Sequence, residues 1–222
     1  MQRLEKRIRF FINYKINYSK LLFSLNALRP SVADKLVKTN TDICIEGFPR
    51  SGNSFFFKLF KKANPEATIA HHIHSPIQLI RAVNLGIPAV ALVRKPKDAI
   101  ASALTFNEYA DVRLSIKSYI LFYNMLSTHK EKCLIVKFDD LITNHDLVIE
   151  RINKHFGTGF KLTNLSAQEA KLFVRSNTLE SDVSKVPYPT QEKEERNRNN
   201  RDKVTSHELY LKAIRAFEQI LE

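Results

Sequence analysis

A chain of 222 residues is long enough to bury the core of one α/β domain, and one domain is the division we expect, although length alone also admits two very small ones. Its 35 Lys and Arg against 23 Asp and Glu give a formal charge of +12, which calls for an anionic ligand, a nucleic acid or an acidic surface without choosing among them. No run of about 18 uncharged apolar residues exists to span a membrane, and the N-terminus lacks a signal peptide's apolar core and small-residue cleavage site, so a soluble, cytoplasmic protein is expected.

Residues 1–38 form a basic arm. Arg3, Lys6, Arg7, Arg9, Lys15, Lys20, Arg29, Lys35 and Lys38 stand against Glu5 and Asp34, an excess of seven positive charges. Leu4, Ile8, Phe11 and Ile12 fall at helical spacing, followed by Leu21, Leu22, Leu25 and Leu28. Two readings are open: a helical arm packed on the domain, or an amphipathic basic segment lying on a membrane surface or a partner.

Residues 39–222 are expected to form the α/β domain. It opens with DICIEGFPRSGNSFFFKLF: a buried strand at Ile43 to Ile45, a tight loop from Gly47 to Gly52, and a helix from Ser54 to Lys62. Such a unit is a phosphate cradle, because loop N–H groups and the unpaired N–H groups of the first helical turn converge on an anion. The spacing is that of the P-loop pattern G-x-x-x-x-G-K-[ST], with Asn53 in place of the lysine that reaches the β- and γ-phosphates. Its absence argues against ATP or GTP hydrolysis and leaves the cradle intact. The loop carries its own cation at Arg50.

Apolar runs then alternate with helical patterns, the signature of βαβ units and a central, mainly parallel sheet flanked by helices. We expect a strand over Thr68 to Ile73, a helix from about Pro76, a strand over Ala89 to Val93 and a helix from Pro96. An amphipathic stretch covers Val112 to Leu126, a strand covers Cys133 to Phe138, and a helix from Leu147 to Phe156 closes at Gly157. Cys44 and Cys133 lie inside apolar runs, so both read as free, buried thiols in a reducing compartment. Residues 180–203 are polar and include Pro187 and Pro189, so they read as a long loop, a lid or a solvated charged segment, before a last helix from about Ser206 to Leu221.

The run AVALVRKPKDAIAS carries a second motif. Arg94 ends a buried strand, Pro96 suits a first helical turn, and Ser102 falls two turns along the helix. Ligands bind at strand ends in open parallel sheets, and arginine grips phosphate bidentately there. The alternative is that Arg94 pairs with Asp98 on the helix surface.

With both motifs in order and one βα unit between them, the chain resembles the sulfotransferases that use 3′-phosphoadenosine 5′-phosphosulfate, a family with a P-loop-NTPase-like fold. FPRSGNSF is similar to the family's 5′-phosphosulfate loop and VRKPKDAIAS to its 3′-phosphate motif, an arginine followed eight positions on by a serine. LIVKFDDLITN and HFGTGF are similar to the family's late strand, acidic turn and helix, so the likeness covers about residues 42–160. It implies transfer of a sulfuryl group to a hydroxyl or amine, with adenosine 3′,5′-bisphosphate as product and no metal required.

The resemblance places Arg50 on the phosphosulfate bridge, and Pro49, Ser51, Gly52, Asn53 and Ser54 around the 5′-phosphate. Arg94 and Ser102 would hold the 3′-phosphate. It explains the missing lysine, since this donor has no γ-phosphate. The family often has threonine where Asn53 stands, which puts a side-chain contact there in question. Late in the chain the family places a basic, glycine-containing segment over the 3′-phosphate; here Arg196, Arg198 and Arg201 lie in that region without the glycine. Ser176, Asn177 and Thr178 sit where the family often contacts the nucleotide.

The base is expected from the second unit, which offers His71, His72 and His74. His74, before Ser75-Pro76, resembles the family's catalytic histidine. Strand alternation would put His72 on its face and His71 on the other. A zinc site of the three is the competing reading, weakened because adjacent strand residues point apart. Phe106, Tyr109, Phe122 and Tyr123 would line the acceptor pocket or belong to the core. The acceptor and the oligomeric state are not readable. A P-loop kinase or NTPase, and a basic nucleic-acid-binding protein, are the alternative classes; no RNP-like or zinc-finger pattern supports the second, and no nucleic acid is expected as a partner.

Overall fold

The computed structural model describes Glu5, Ile12, Tyr14 and residues 16–107, 109–178 and 190–222. Much of the basic arm, and the 180–189 half of the expected lid loop, lie outside the described residues. Four parallel strands form the sheet, in the order β2-β1-β3-β4: β1 Ile43–Gly47, β2 Ile69–His71, β3 Ala89–Val93 and β4 Leu134–Lys137. The expected single α/β domain with a parallel sheet flanked by helices is the observed one.

The helices follow in chain order. A short α1 spans Pro30–Ala33, α2 spans Asn53–Ala63, α3 Pro76–Asn84, α4 Pro96–Phe106 and α5 Val112–Ser127. After β4 come α6 Phe138–Thr143, α7 His145–Phe156, α8 Ala167–Ser176, α9 Gln191–Thr205 and α10 Tyr210–Leu221.

Strand alternation sorts the core into two layers. Cys44, Ala89, Ala91 and Val93 face a cluster with Leu79 of α3, Ile100 of α4, Tyr119, Phe122 and Tyr123 of α5, and Ala216 and Ile220 of α10. Ile43, Ile45, Val90, Leu92 and Val136 face the other side, against Phe56 and Phe60 of α2, Leu141 of α6 and Ile149 and Ile152 of α7. Both central strands are buried along their whole length, as strands covered on two faces must be. Phe122 and Tyr123 are therefore core, not pocket, and both cysteines are free and buried. Among the described residues no helix is long and apolar enough to cross a membrane.

Three segments differ from expectation. Residues 191–205 are helical rather than a loop: no proline or glycine follows Pro189, Thr190 caps the helix by accepting from the Lys193 N–H, and Glu192 and Glu194 favour its first turn. Helix α8 was not anticipated, although Ser166 and Glu169 form a reciprocal capping box that SAQE spells out. Strand β2 stops at His71, because His72 and His74 take left-handed backbone angles, with φ of 58° and 56°.

Strand order places the switch point between β1 and β3. From β1 the chain turns to β2, and from β3 it turns the other way to β4, so the loops after β1 and β3 diverge and leave a crevice at their carboxyl ends. Gly47 closes β1 there. A Cβ on it would lie 2.5 Å from the Leu92 carbonyl oxygen of β3, so no larger residue fits.

Candidate anion-binding site

The loop after β1 is held in one shape by its own side chains. Arg50 and Gly52 take φ of 69° and 97°, and the Ser51 N–H donates to the Phe48 carbonyl at 3.2 Å. Asn53, the residue in the lysine position, turns inward. Its Nδ2 donates to the Phe48 carbonyl at 3.2 Å and to the Gly47 carbonyl at 3.5 Å. The carboxamide ties the loop from inside, while the α2 N-terminus keeps its unpaired N–H groups. Ser51 is buried, Pro49 and Ser54 are partly exposed, and Gly52 caps α2.

Both expected arginines reach one place. Arg50 Nε donates to Ser102 Oγ of α4 at 3.1 Å, and Arg94 Nη1 donates to the Arg50 carbonyl at 3.0 Å. Arg50 also stacks against the exposed ring of Phe106, 5.1 Å from its centroid, and Arg94 sits over Phe138 at 4.1 Å. Tyr119 Oη donates to the Arg94 carbonyl at 2.6 Å. Asp98 does not pair with Arg94; it takes the guanidinium of Arg201 at 2.9 Å. Among the described residues neither Arg50 nor Arg94 has a carboxylate in ion-pair contact. Burial and the Arg94 charge push Arg50 down to about 10, and burial lowers Arg94 as well. Two partly buried guanidiniums, one of which the other's charge destabilises, thus stand beside a loop of N–H donors, an arrangement with the charge and donors to take an anion.

The C-terminal arginines lie along α4 on helix α9. Arg196 donates to the Thr105 carbonyl at 3.3 Å and pairs with Glu192 at 3.8 Å. Arg198 is exposed and, among the described contacts, none ties it to the loop. Arg201 is the one whose charge bears on Arg94. Asn177 and Thr178 receive Lys58 of α2 at 2.9 and 2.6 Å and so join α8 to α2.

Histidine geometry departs from strand alternation. Because His72 leaves the strand, its ring meets both neighbours: its Nδ1 faces His71 Nδ1 at 2.5 Å, and its ring centroid lies 5.9 Å from that of His74. His72 Nε2 meets Ser54 Oγ at 2.9 Å, joining the histidine pair to the first turn of α2. Burial pushes His72 down to about 3 and His71 to about 4, so both rings are neutral near neutral pH.

His74 Nδ1 lies 3.0 Å from the Gly47 carbonyl oxygen, which only accepts; Nδ1 therefore carries the proton and Nε2 is the basic nitrogen. Burial lowers its pKa, with Arg50 adding to the shift after the opposing pull of Gly47. The side chain is 30% exposed.

Sequence reasoning missed Glu46. This β1 carboxyl has no exposed surface and accepts the Ile73 N–H at 2.6 Å, the His74 N–H at 3.0 Å and Gln78 Nε2 at 3.2 Å. It clamps the loop that presents His74. Its signal was a lone carboxylate inside an apolar strand, a group that burial disfavours unless several donors meet it. Asn17 supports the same loop from outside, donating to the Ile73 carbonyl at 2.9 Å and accepting from the Ser75 hydroxyl.

No family model and no curated protein matches the chain. Among solved structures, the crystal structure of a mouse sulfotransferase, SULT7A1, complexed with PAP aligns over 90% of this chain and 95% of that one, at 12% identity and TM-score 0.48.

Proposed function

We propose that the chain is a sulfotransferase that takes its sulfuryl group from 3′-phosphoadenosine 5′-phosphosulfate and delivers it to a hydroxyl or amine. One observation carries the reading: Arg50 after β1 and Arg94 and Ser102 after β3 meet at the sheet's switch point, linked by hydrogen bonds and, among the described residues, without a carboxylate in ion-pair contact with either arginine. A cradle with one cation from each of two adjoining loops and no loop lysine suits a nucleotide with phosphates on both its 5′ and 3′ positions better than a triphosphate.

The donor supplies a sulfuryl group already activated by its phosphate leaving group. The chain's residues would act around it. N–H groups from Ser51 to Ser54 and the Ser54 hydroxyl would hold the 5′-phosphate, and Arg94 and Ser102 the 3′-phosphate. Arg50 would meet the charge that develops on the departing phosphate oxygen, an electrostatic contribution that often dominates such transfers. His74 Nε2 would accept the proton of the acceptor hydroxyl, with Gly47 holding the tautomer and Glu46 the loop. Arg196 and Arg198 belong to the reading as candidate donors at the nucleotide; Arg201 of the same helix is taken up by Asp98 and Glu194.

The test is transfer from radiolabelled donor to a panel of sugars, phenols, lipids and peptides, with chelator present. Labelled product that disappears in Arg50→Ala is the expected result; metal-dependent ATP turnover by the same protein, with no transfer, would overturn the proposal.

A further inference from the structure

The N-terminal segment exposes an apolar ridge that the described residues of the domain leave open. Residues Phe23–Leu28 form a 3-10 helix, in which side chains three apart lie one above another. Phe23 and Asn26 take the inner row. Phe23 packs with Leu36, Ile73 and Ile77 under Arg81, and Asn26 bonds to Asn17 and Arg29. Leu22, Leu25 and Leu28 take the outer row with Leu21 beside them, and Leu21 and Leu28 are 90% and 77% exposed. The ridge is thus fixed by its buried side rather than left loose. Isolated exposed leucines are ordinary, but four within eight residues on one anchored face are not.

Charge decides what covers it. Lys20 and Arg29 bracket the ridge, and the sequence ahead of it adds Arg3, Lys6, Arg7, Arg9 and Lys15 against Glu5. A second copy of this chain would bring an equally basic ridge against the first, and like charges oppose that pairing. An anionic lipid surface satisfies both features at once, since leucines enter the headgroup boundary while lysine and arginine meet the phosphates. We propose that the Leu21–Leu28 ridge is an interfacial anchor that seats the protein on anionic membrane surfaces. Asn17, one turn before the ridge, bonds to the loop carrying His74, so a protein seated this way holds that loop close to the lipid surface.

The test is co-sedimentation of the full chain with vesicles of phosphatidylcholine, and of phosphatidylcholine with about a third phosphatidylserine. It needs no donor nucleotide, so its outcome is separate from that of the sulfotransferase reading. Expected is binding at least about tenfold stronger to the anionic vesicles, weakened by high salt and reduced about tenfold in Leu25→Glu/Leu28→Glu. An unchanged melting temperature identifies that variant as folded, and Lys20→Glu, at an exposed position, repeats the test through charge alone. Equal affinity for both vesicles, no binding to either, or a wild-type oligomer that the leucine variant dissolves would overturn the proposal.

Discussion

Glu46 Oε2 accepts the backbone N–H of His74 at 3.0 Å while Oε1 accepts that of Ile73 at 2.6 Å, so one buried carboxyl on β1 sets the backbone from which the candidate base projects. Two left-handed residues, His72 and His74, flank that clamp. Glu46→Gln swaps one acceptor oxygen for an NH₂ that opposes an N–H. The expected outcome is a fall in kcat of about 10- to 100-fold with donor KM little changed, since misplacing a base by about an ångström costs that much. Steady-state kinetics checks it; a change confined to KM would remove Glu46 from this role.

The same carboxyl predicts a pH dependence. Burial pushes Glu46 up from 4.5 to about 8, against the pull of its donors. Above 4.5 the unfolded chain has released this proton while the folded chain still binds it, so the contribution to stability is full below 4.5 and is lost as pH rises through 8. Between pH 6.5 and 8 the loss is about 2 kcal/mol, at about 1.4 kcal/mol per pH unit. Denaturant unfolding across that window would show the slope in the wild type and not in Glu46→Gln. Equal slopes would contradict the assignment.

His72 lies behind Ser54 at 2.9 Å. For the Ser54 hydroxyl to donate to a phosphate, His72 Nε2–H must donate to Ser54 Oγ, and His72 Nδ1 must accept from His71. Loss of that support in His72→Ala should weaken binding of adenosine 3′,5′-bisphosphate about fivefold, the equivalent of about 1 kcal/mol for one hydrogen bond. His72→Gln, whose amide can donate to Ser54, should recover part of it. Calorimetric titration giving wild-type affinity for both variants would show that His72 only fills space.

His74→Ala and Arg50→Ala separate proton transfer from charge stabilisation. Each should lower turnover by about 10²- to 10⁴-fold with the fold retained. Arg50→Ala should also weaken donor binding, whereas His74→Ala should not. Near wild-type turnover of His74→Ala across pH would assign the base elsewhere.

What sequence reasoning reached, and what it did not, follows from the range of the interactions. The strand, loop and helix around Arg50 and the Arg94 strand end are local patterns of apolar runs, glycine and proline, and all formed where expected. Helix α9 reads as a loop from sequence because its composition is polar; Arg201 with Asp98 and Asn200 with Thr105 dock it on α4, contacts between residues about a hundred positions apart. The histidine arrangement failed for the same reason, since alternation assumes a strand that Glu46 ends by capturing the backbone after it. Asn53 was a puzzle as a missing lysine and becomes a loop lock only when its carboxamide is seen turned inward.

The most direct measurement is thermal stabilisation of the full chain by adenosine 3′,5′-bisphosphate with chelator present, beside ATP with magnesium. Expected is a concentration-dependent rise in melting temperature with the bisphosphate alone, abolished in Arg94→Ala, because a ligand at 100 times its Kd stabilises by about 2.7 kcal/mol. Stabilisation by ATP with magnesium and none by the bisphosphate would contradict it.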